Sequence, residues 1–255
     1  MFGWLRSRRA PPIPAALWQA TLADFPFLAQ RAADELQQLQ QLAGEFLRTK
    51  EFHGAGGFSI TDRVALAIAA QAVLPVLHLG LHWYDDFIGI VVHPGEVVAR
   101  RTVADENGVV HHYDEVLAGE AMEGGPVMLS WQDVSRAGVT AEQGYNVVIH
   151  EFIHKIDMRD GQPDGCPPLP TRAAREAWLA VLQPQYEAFR ERVIVAERFG
   201  GEPPWLDPYG AEAIDEFLAV ACEGYFVNRE RFAQEFAPLV TLFDGFFRVS
   251  GAAAP

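Results

Sequence analysis

The stretch GYNVVIHEFIHKIDMRDG, residues 144–161, places two histidines four residues apart, with a glutamate between them, in a mostly apolar run. In an α-helix, residues four apart lie on one face, so His150 and His154 can direct imidazole nitrogens toward one point, as zinc requires. Glu151 is rotated about 100° from His150 and would lie beside the ion, where its carboxylate can hydrogen-bond a metal-bound water. The pattern predicts a zinc hydrolase with Glu151 as general base.

The helix assignment depends on the residues that flank this stretch. Thr140 and Gln143 have the spacing of a capping box, and Gly161 follows the last periodic residue, as at a helix end. The alternative to a metal site is that core hydrogen bonds satisfy both histidines while Glu151 faces solvent.

A second histidine pair, His78 and His82 in HLGLH, serves as an internal control. These two residues are also four apart, but the pair lacks the glutamate, contains Gly80 and follows Pro75. Its neighbours are apolar on both sides. We therefore predict buried or edge histidines at this position rather than a second metal site.

A catalytic zinc usually has three protein ligands and one open position, so a third ligand is needed. In the Pro/Gly loop after the helix, the only carboxylates are Asp160 and Asp164, and Asp160 occupies the position where a third histidine would stand six residues downstream. The best remaining candidate is Glu216, which precedes an apolar helical run, because a carboxylate at the edge of a buried helix requires a partner.

Glu223 lies two turns after Glu216, on nearly the same face, and is either a further ligand or an acceptor for a histidine N–H. Asp157, near the end of the histidine helix, is predicted to support the ligands from behind. The alternative for the second helix is a solvated acidic face that includes Glu212, Asp215 and Glu223.

The rest of the chain predicts a mixed fold. Two amphipathic helices are predicted between Ala15 and about Lys50, and Thr61–Asp62 caps a helix that enters the apolar run 64–81, where Pro75 kinks or ends it. We expect residues 1–60 to form an N-terminal helical segment packed on a domain, residues 61–255, that carries the predicted zinc site, in one compact unit.

The middle of the chain has the character of short strands. Residues 87–95, 97–113 and 125–134 are rich in β-branched residues and bounded by Gly and Pro, and Asp105–Gly108 supplies a hairpin turn. These segments predict a small, mainly antiparallel sheet. Together with the helices before and after it, the sheet indicates an α+β fold.

Charge and composition limit the partners. The formal net charge is −14, which argues against direct binding to nucleic acid or to an anionic membrane surface. The run 64–81 contains Gln, Pro and His and is therefore predicted to be a buried core helix rather than a membrane span. The N-terminus lacks the features of a secretory signal and the two cysteines form no disulfide framework, so we expect a cytoplasmic protein.

The motif HEFIHKID, together with Y-x6-E-F-x-A-V-x-x-E-x-Y-F from Tyr209 to Phe226, resembles the Mlc titration factor A family of bacterial zinc peptidases. The segments GPVMLSW and DGCPPLP also match, so the resemblance covers most of the chain. It implies a zincin-like core, an active-site helix and one zinc ion per chain. In this sequence the implied metal ligands are His150, His154 and Glu216.

The same resemblance implies the remaining roles. Glu151 would be the base, and Tyr209 would donate a hydrogen bond to the developing oxyanion. The family implies an aminopeptidase acting on peptides, and it also implies binding to a transcription repressor of sugar-uptake genes, the glucose-responsive Mlc. The alternative is a regulatory protein that sequesters such a repressor with little or no catalysis. If the PVMLSW strand lies at the sheet edge, it would pair with the substrate backbone.

Overall fold

The computed structural model of the chain describes residues 12–104 and 110–248, and for residues 98–104 and 110–117 it describes the backbone alone. Helices alternate with a few short strands. The helices of the described residues are α1 (Ala15–Asp24), α2 (Pro26–Ala29), α3 (Ala33–Thr49), α4 (Asp62–Ala72), α5 (Trp131–Thr140), α6 (Val147–Asp157), α7 (Arg172–Phe199), α8 (Ile214–Val227), α9 (Arg229–Glu235) and α10 (Ala237–Phe247). The strands are β1 (Glu51–Gly54), β2 (Gly89–His93), β3 (Val97–Ala104), β4 (Val110–Leu117), β5 (Gly119–Ala121) and β6 (Val127–Ser130).

The predicted α+β class is confirmed, but the predicted strand directions are wrong in the main sheet. That sheet has the order β1-β2-β6-β5, in which β1/β2 and β2/β6 are parallel and only β5/β6 is antiparallel. Parallel neighbours need long crossover connections. Here α4 lies between β1 and β2, and the β3/β4 pair lies between β2 and β6, so both connections are long enough to return the chain in the same direction.

Strands β3 and β4 form a separate antiparallel pair, as predicted for the segment 97–113. Their register runs from Val97 opposite Leu117 to Ala104 opposite Val110. The hairpin turn predicted at Asp105–Gly108 lies outside the described residues.

The strand predicted at 125–134 is shorter than expected, and its position in the sheet differs. Strand β6 ends at Ser130, whose hydroxyl accepts a hydrogen bond from the Asp133 N–H and begins α5. In the sheet, β6 lies between β2 and β5. The condition under which PVMLSW would pair with the substrate backbone is therefore not met, because β5 takes the edge position.

The N-terminal helices agree with the sequence pattern. Two long helices, α1 and α3, occupy the predicted range, and Thr61 caps α4 by accepting from the Val64 N–H. Helix α4 ends at Ala72, before Pro75, and its residues are largely buried. Among the described residues, no helix combines the length and the apolar character that a membrane crossing requires. The domain division near residue 60 stays a prediction.

Helix α6 is anchored in the core by its apolar face. The ring of Phe152 lies 5.0 Å from that of Tyr84, 5.6 Å from that of Phe46 and 5.9 Å from that of Phe87, measured between centroids. Burying a side chain of this size stabilises the fold by about 1.5–3 kcal/mol. These contacts fix the side of α6 opposite the histidines.

Lys155 ties α6 to the turn between β5 and β6. Its buried ammonium group donates to the carbonyls of Met122 (2.6 Å) and Gly125 (3.0 Å) and lies 3.8 Å from a carboxylate oxygen of Asp86. A buried ammonium group requires such partners, since leaving it unpaired is costly. The edge strand β5 is therefore held at a defined distance from α6.

Candidate metal centre

The histidine helix begins later than the sequence predicts. Its cap is Asn146, whose side-chain oxygen accepts from the Ile149 N–H at 2.9 Å. The capping box predicted at Thr140 and Gln143 is wrong, because Thr140 ends α5 and Gln143 lies in a short 3-10 turn that stops at Gly144. Gly144 has a φ of 76°, a left-handed conformation that redirects the chain before α6 starts.

Helix α8 packs against α6 and brings Glu216 to the two histidines. The Nε2 atoms of His150 and His154 lie 3.1 Å apart. The Oε2 atom of Glu216 lies 3.1 Å from Nε2 of His150 and 3.2 Å from Nε2 of His154. In the described part of the chain, these three residues form a group that could hold a metal ion.

The donor set fits a divalent ion of the zinc type. Zinc binds imidazole nitrogen and carboxylate oxygen at about 2.0–2.2 Å, which keeps tetrahedral ligand atoms roughly 3.3 Å apart, close to the spacing here. Burial raises the pKa of Glu216, but hydrogen bonds from both histidines outweigh it and hold the pKa well below its usual range. Glu216 is therefore ionised, as a ligand must be.

Glu151 lies next to the ligands and is 4% exposed. Burial is the largest influence on its carboxyl group and raises the pKa to about 7, although the neighbouring histidine charges act in the opposite direction. The side chain lies against strand β5. A Cβ atom added at Gly119 would come within 2.4 Å of Oε1 of Glu151, so only a glycine leaves room for the carboxylate.

The structure also brings Tyr209 to this site. Tyr209 lies in a 3-10 turn, Pro208–Ala211, that Asp207 caps by accepting from the Tyr209 N–H at 3.0 Å. Its hydroxyl group is 3.4 Å from Oε1 of Glu216, and its ring centroid is 6.1 Å from that of His150. The phenol is partly exposed, on the solvent side of the ligand group.

Glu223 lies behind His150 and is 1% exposed. Its Oε1 atom is 2.8 Å from Nδ1 of His150, and its Oε2 atom accepts from the backbone N–H of Asn146. Of the two alternatives that the sequence leaves open, this geometry matches the acceptor for a histidine N–H. Such partners orient a ligand imidazole and increase its basicity.

Asp157 lies at the end of α6 and contacts the following loop. Its Oδ2 atom accepts from the Gly165 N–H at 2.9 Å, while Oδ1 is buried without a hydrogen-bond partner in the described residues. A Cβ added at Gly165 would come within 2.9 Å of the Ile214 carbonyl oxygen, so the loop packs tightly against the start of α8. Asp157 thus connects the two ligand-bearing helices through the loop. Its predicted support of the ligands stays a prediction.

The control pair is only partly enclosed, since His82 is exposed. His78 is partly buried, and its Nε2 atom lies 3.1 Å from Oε1 of Glu35. Neither His78 nor His82 belongs to a candidate metal group in the part of the chain that the structure describes. Cys166 and Cys222 are both free and buried.

The metal group lies in a cleft of about 480 Å³. Residues that the sequence analysis did not single out also line it, among them Gly119, Glu120 and Tyr145. No local pattern marks these residues, because they reach the cleft only through the pairing of β5 and the packing of α6. The histidine helix, the glutamate from a second helix and the short edge strand define a zincin-like α+β protein with a candidate single-metal site.

Comparison with known proteins agrees with this class. The chain belongs to the family described as glucose-regulated metallo-peptidase M90, which it matches over residues 2–248. It is 35% identical to Mlc titration factor A of Edwardsiella ictaluri, over 88% of this chain and 84% of that protein. It is 34% identical to Mlc titration factor A of Serratia proteamaculans, over 91% of this chain and 87% of that protein. An uncharacterised protein of Synechocystis sp. is 35% identical over 84% of this chain and 77% of that protein.

Proposed function

We propose that the protein is a zinc-dependent peptidase in which His150, His154 and Glu216 hold one zinc ion per chain. The observation that carries this proposal is the convergence of three ligand atoms, 3.1–3.2 Å apart, in an open cleft. When bound, zinc supplies a Lewis acid that increases the acidity of water and polarises a carbonyl group. The other residues of the cleft bind the peptide and move the proton.

In this proposal, Glu151 takes the proton from the attacking water and passes it to the leaving amine. Its buried position favours this role, because a general base works best with a pKa near the working pH, and burial raises that of Glu151 to about 7. The Tyr209 hydroxyl group, on the solvent side of Glu216, donates to the oxyanion that develops on the scissile carbonyl.

The substrate backbone is proposed to pair with β5, since this strand is the sheet edge that lines the cleft. Strand β6, which contains most of PVMLSW, lies inside the sheet and is not available for this pairing. Strand β5 carries Gly119, whose missing side chain leaves room for Glu151. The edge strand β5 and the Glu151 side chain are therefore in direct contact, and a shift of the strand would also shift the carboxylate.

Replacing Gly119 by Ala tests that contact. The new methyl group would displace the flexible Glu151 side chain, so the fold should persist while kcat falls about 100-fold, as a misplacement of about 1 Å can cause. Steady-state kinetics and a thermal unfolding curve measure the two effects. The matched control is Gly245→Ala in α10, and it should leave kcat unchanged. There, an added Cβ would meet no heavy atom of the described residues within 4 Å, apart from its chain neighbours and its own helix backbone. Wild-type kcat in Gly119→Ala would contradict the contact.

We further propose that the enzyme is an aminopeptidase. Besides the ligand and base carboxylates, Glu120, Asp207 and Asp215 line the cleft, and no Lys or Arg lies among the described residues that line it. A cleft lined by one sign of charge attracts the opposite charge. The free α-ammonium group of a peptide carries that charge next to the first peptide bond.

A pair of peptides that differ only at the N-terminus tests both parts of the proposal. With zinc-loaded protein, the free peptide should be cleaved at least about 10-fold faster than its N-acetylated form, as judged by kcat/KM. A chelator should stop both reactions. Equal cleavage of the two peptides would contradict the aminopeptidase assignment, and the absence of zinc-dependent cleavage across a peptide library would contradict the peptidase.

A second function is proposed because several relatives are named Mlc titration factor A. We propose that this chain also binds a transcription repressor protein, in the cytoplasm, without contacting nucleic acid itself. The net charge of −14 supports this, since an acidic surface attracts a basic DNA-binding domain and repels DNA.

A further inference from the structure

A chain of fully buried polar groups leads from helix α4 to the metal site. Gln71 and Asn146 are both 0% exposed, and Glu223 is 1% exposed. Most buried polar groups in proteins have hydrogen-bond partners, and each of these residues has them. Gln71 lies 79 positions before His150 in the sequence. The donors and acceptors of these hydrogen bonds show how Gln71 is connected to His150.

The chain of hydrogen bonds begins at a backbone carbonyl of α4. The Nε2 group of Gln71 donates to the carbonyl of Ala67 at 3.0 Å, so its Oε1 atom is the end that faces Asn146. The Nδ2 group of Asn146 donates to this oxygen at 2.8 Å. At its other end, Oδ1 of Asn146 accepts from the Ile149 N–H. Neither amide can rotate by 180° without placing donors against donors or acceptors against acceptors.

The same asparagine also fixes Glu223. Its backbone N–H donates to Oε2 of Glu223, and its backbone carbonyl accepts from the His150 N–H at 3.0 Å. All the polar groups of Asn146 are thus committed. The second oxygen of Glu223 is left to accept from Nδ1 of His150 at 2.8 Å. Nε2 is then the ring nitrogen that faces His154 and Glu216.

We propose that Gln71 and Asn146 are positioning residues for the metal site. They hold the Glu223 carboxylate so that the Nδ1–H group of His150 always points toward it and Nε2 always points into the cleft. This inference rests on the proposed function, because the positioning serves a metal site. The hydrogen bonds themselves are present without a metal. Neither residue contacts the reacting atoms.

The location of Glu223 makes such support necessary. A buried carboxylate loses its hydration and must be compensated by donors and dipoles. The N-terminus of α6, where Asn146 is the cap, supplies a backbone donor and the positive end of an 11-residue helix. If Asn146 shifts, Glu223 loses this donor, and the imidazole that depends on Glu223 becomes free to rotate.

The test replaces Gln71 by Leu, which removes the amide and keeps the approximate size. Chelator competition should give a zinc Kd about 10-fold weaker than that of the wild type, since outer partners of zinc ligands, here Glu223, typically contribute 10–100-fold and Gln71 acts through Asn146 on Glu223. The matched control is Ile68→Val on the same helix, a buried core change outside the polar chain. This control should lower stability by about 0.5–1.5 kcal/mol and leave the zinc Kd unchanged.

A second variant, Asn146→Ser, keeps a good helix cap and the backbone N–H but loses the contact with Gln71. If both residues act through their shared hydrogen bond, the double variant Gln71→Leu/Asn146→Ser should bind zinc about as well as Asn146→Ser alone. Additive losses in the double variant would overturn the proposal, as would an unchanged zinc Kd in a folded single variant.

A measurement on zinc-free protein separates this inference from the proposed function. In protein with 15N-labelled histidine, the Nδ1 proton of His150 should exchange slowly with solvent in the wild type and at least about 10-fold faster in Gln71→Leu. Equal exchange rates would overturn the proposal, whether or not the protein binds zinc. A wild type that fails to bind zinc but has the protected proton would contradict the proposed function alone.

Discussion

Replacing Glu151 by Gln is expected to abolish peptide hydrolysis while zinc stays bound. The amide has the size of the carboxylate but cannot accept the proton of the attacking water, and a positioned general base contributes about 10²–10⁴-fold. Glu151 is 4% exposed, so the amide would occupy the same buried position as the carboxylate. We expect kcat to fall by about 10³-fold or more, measured with the free-amine peptide.

The zinc content of the Glu151→Gln protein is the internal control, and it should remain one ion per chain. Retained turnover at full zinc content would contradict the role of Glu151 as base. The same variant separates the two proposed functions. If repressor binding needs no chemistry, Glu151→Gln should capture an Mlc-like repressor as well as the wild type, whereas loss of capture in the folded variant would make binding depend on the catalytic site.

Removing a metal ligand is expected to have the second large effect. In His154→Ala and in Glu216→Ala, one of three donors is lost, and two protein ligands hold zinc far less tightly than three. Because changing an outer partner already weakens binding by 10–100-fold, losing a direct ligand should weaken it by more than about 100-fold. Metal analysis after dialysis should then find little zinc, and hydrolysis should be lost with it.

His78→Ala is the matched control for the ligand variants. His78 is also partly buried and also paired with a glutamate, Glu35, but it lies outside the candidate metal group. Its zinc content and kcat should equal those of the wild type. A ligand variant that keeps full zinc after dialysis, or zinc loss in His78→Ala, would contradict the assignment of the ligands.

The local part of the site could be predicted from the sequence. The positions of His150 and His154 on one helix face depend only on the helical repeat, which four-residue spacing exposes directly. Glu216 lies 66 positions after His150 and could be proposed on two grounds: a carboxylate ahead of a buried helix needs a partner, and the motif around it resembles that of a known family. The structure brings its Oε2 atom within 3.2 Å of both imidazoles.

The non-local part could not be predicted. Strand direction depends on how far the chain travels between partners, so the strand-like sequences of β2 and β6 do not reveal their parallel pairing. Strand β1, with the sequence EFHG, lies in the segment predicted to be helical and carries no strand signal. Gly119 and Gln71 matter through contacts with residues 32 and 75 positions away, and neither stands in a recognisable motif. The predicted cap of α6 is also wrong, because the left-handed Gly144 redirects the backbone between the predicted capping box and the start of the helix.

The most direct test of the metal site is anomalous diffraction on both sides of the zinc absorption edge, from crystals of the zinc-loaded protein. We predict one zinc peak per chain, about 2.0–2.2 Å from Nε2 of His150, Nε2 of His154 and a carboxylate oxygen of Glu216. A peak at another position, or a Glu216 carboxylate that points away from both imidazoles in the presence of ample zinc, would contradict the proposed site and the chemistry that depends on it.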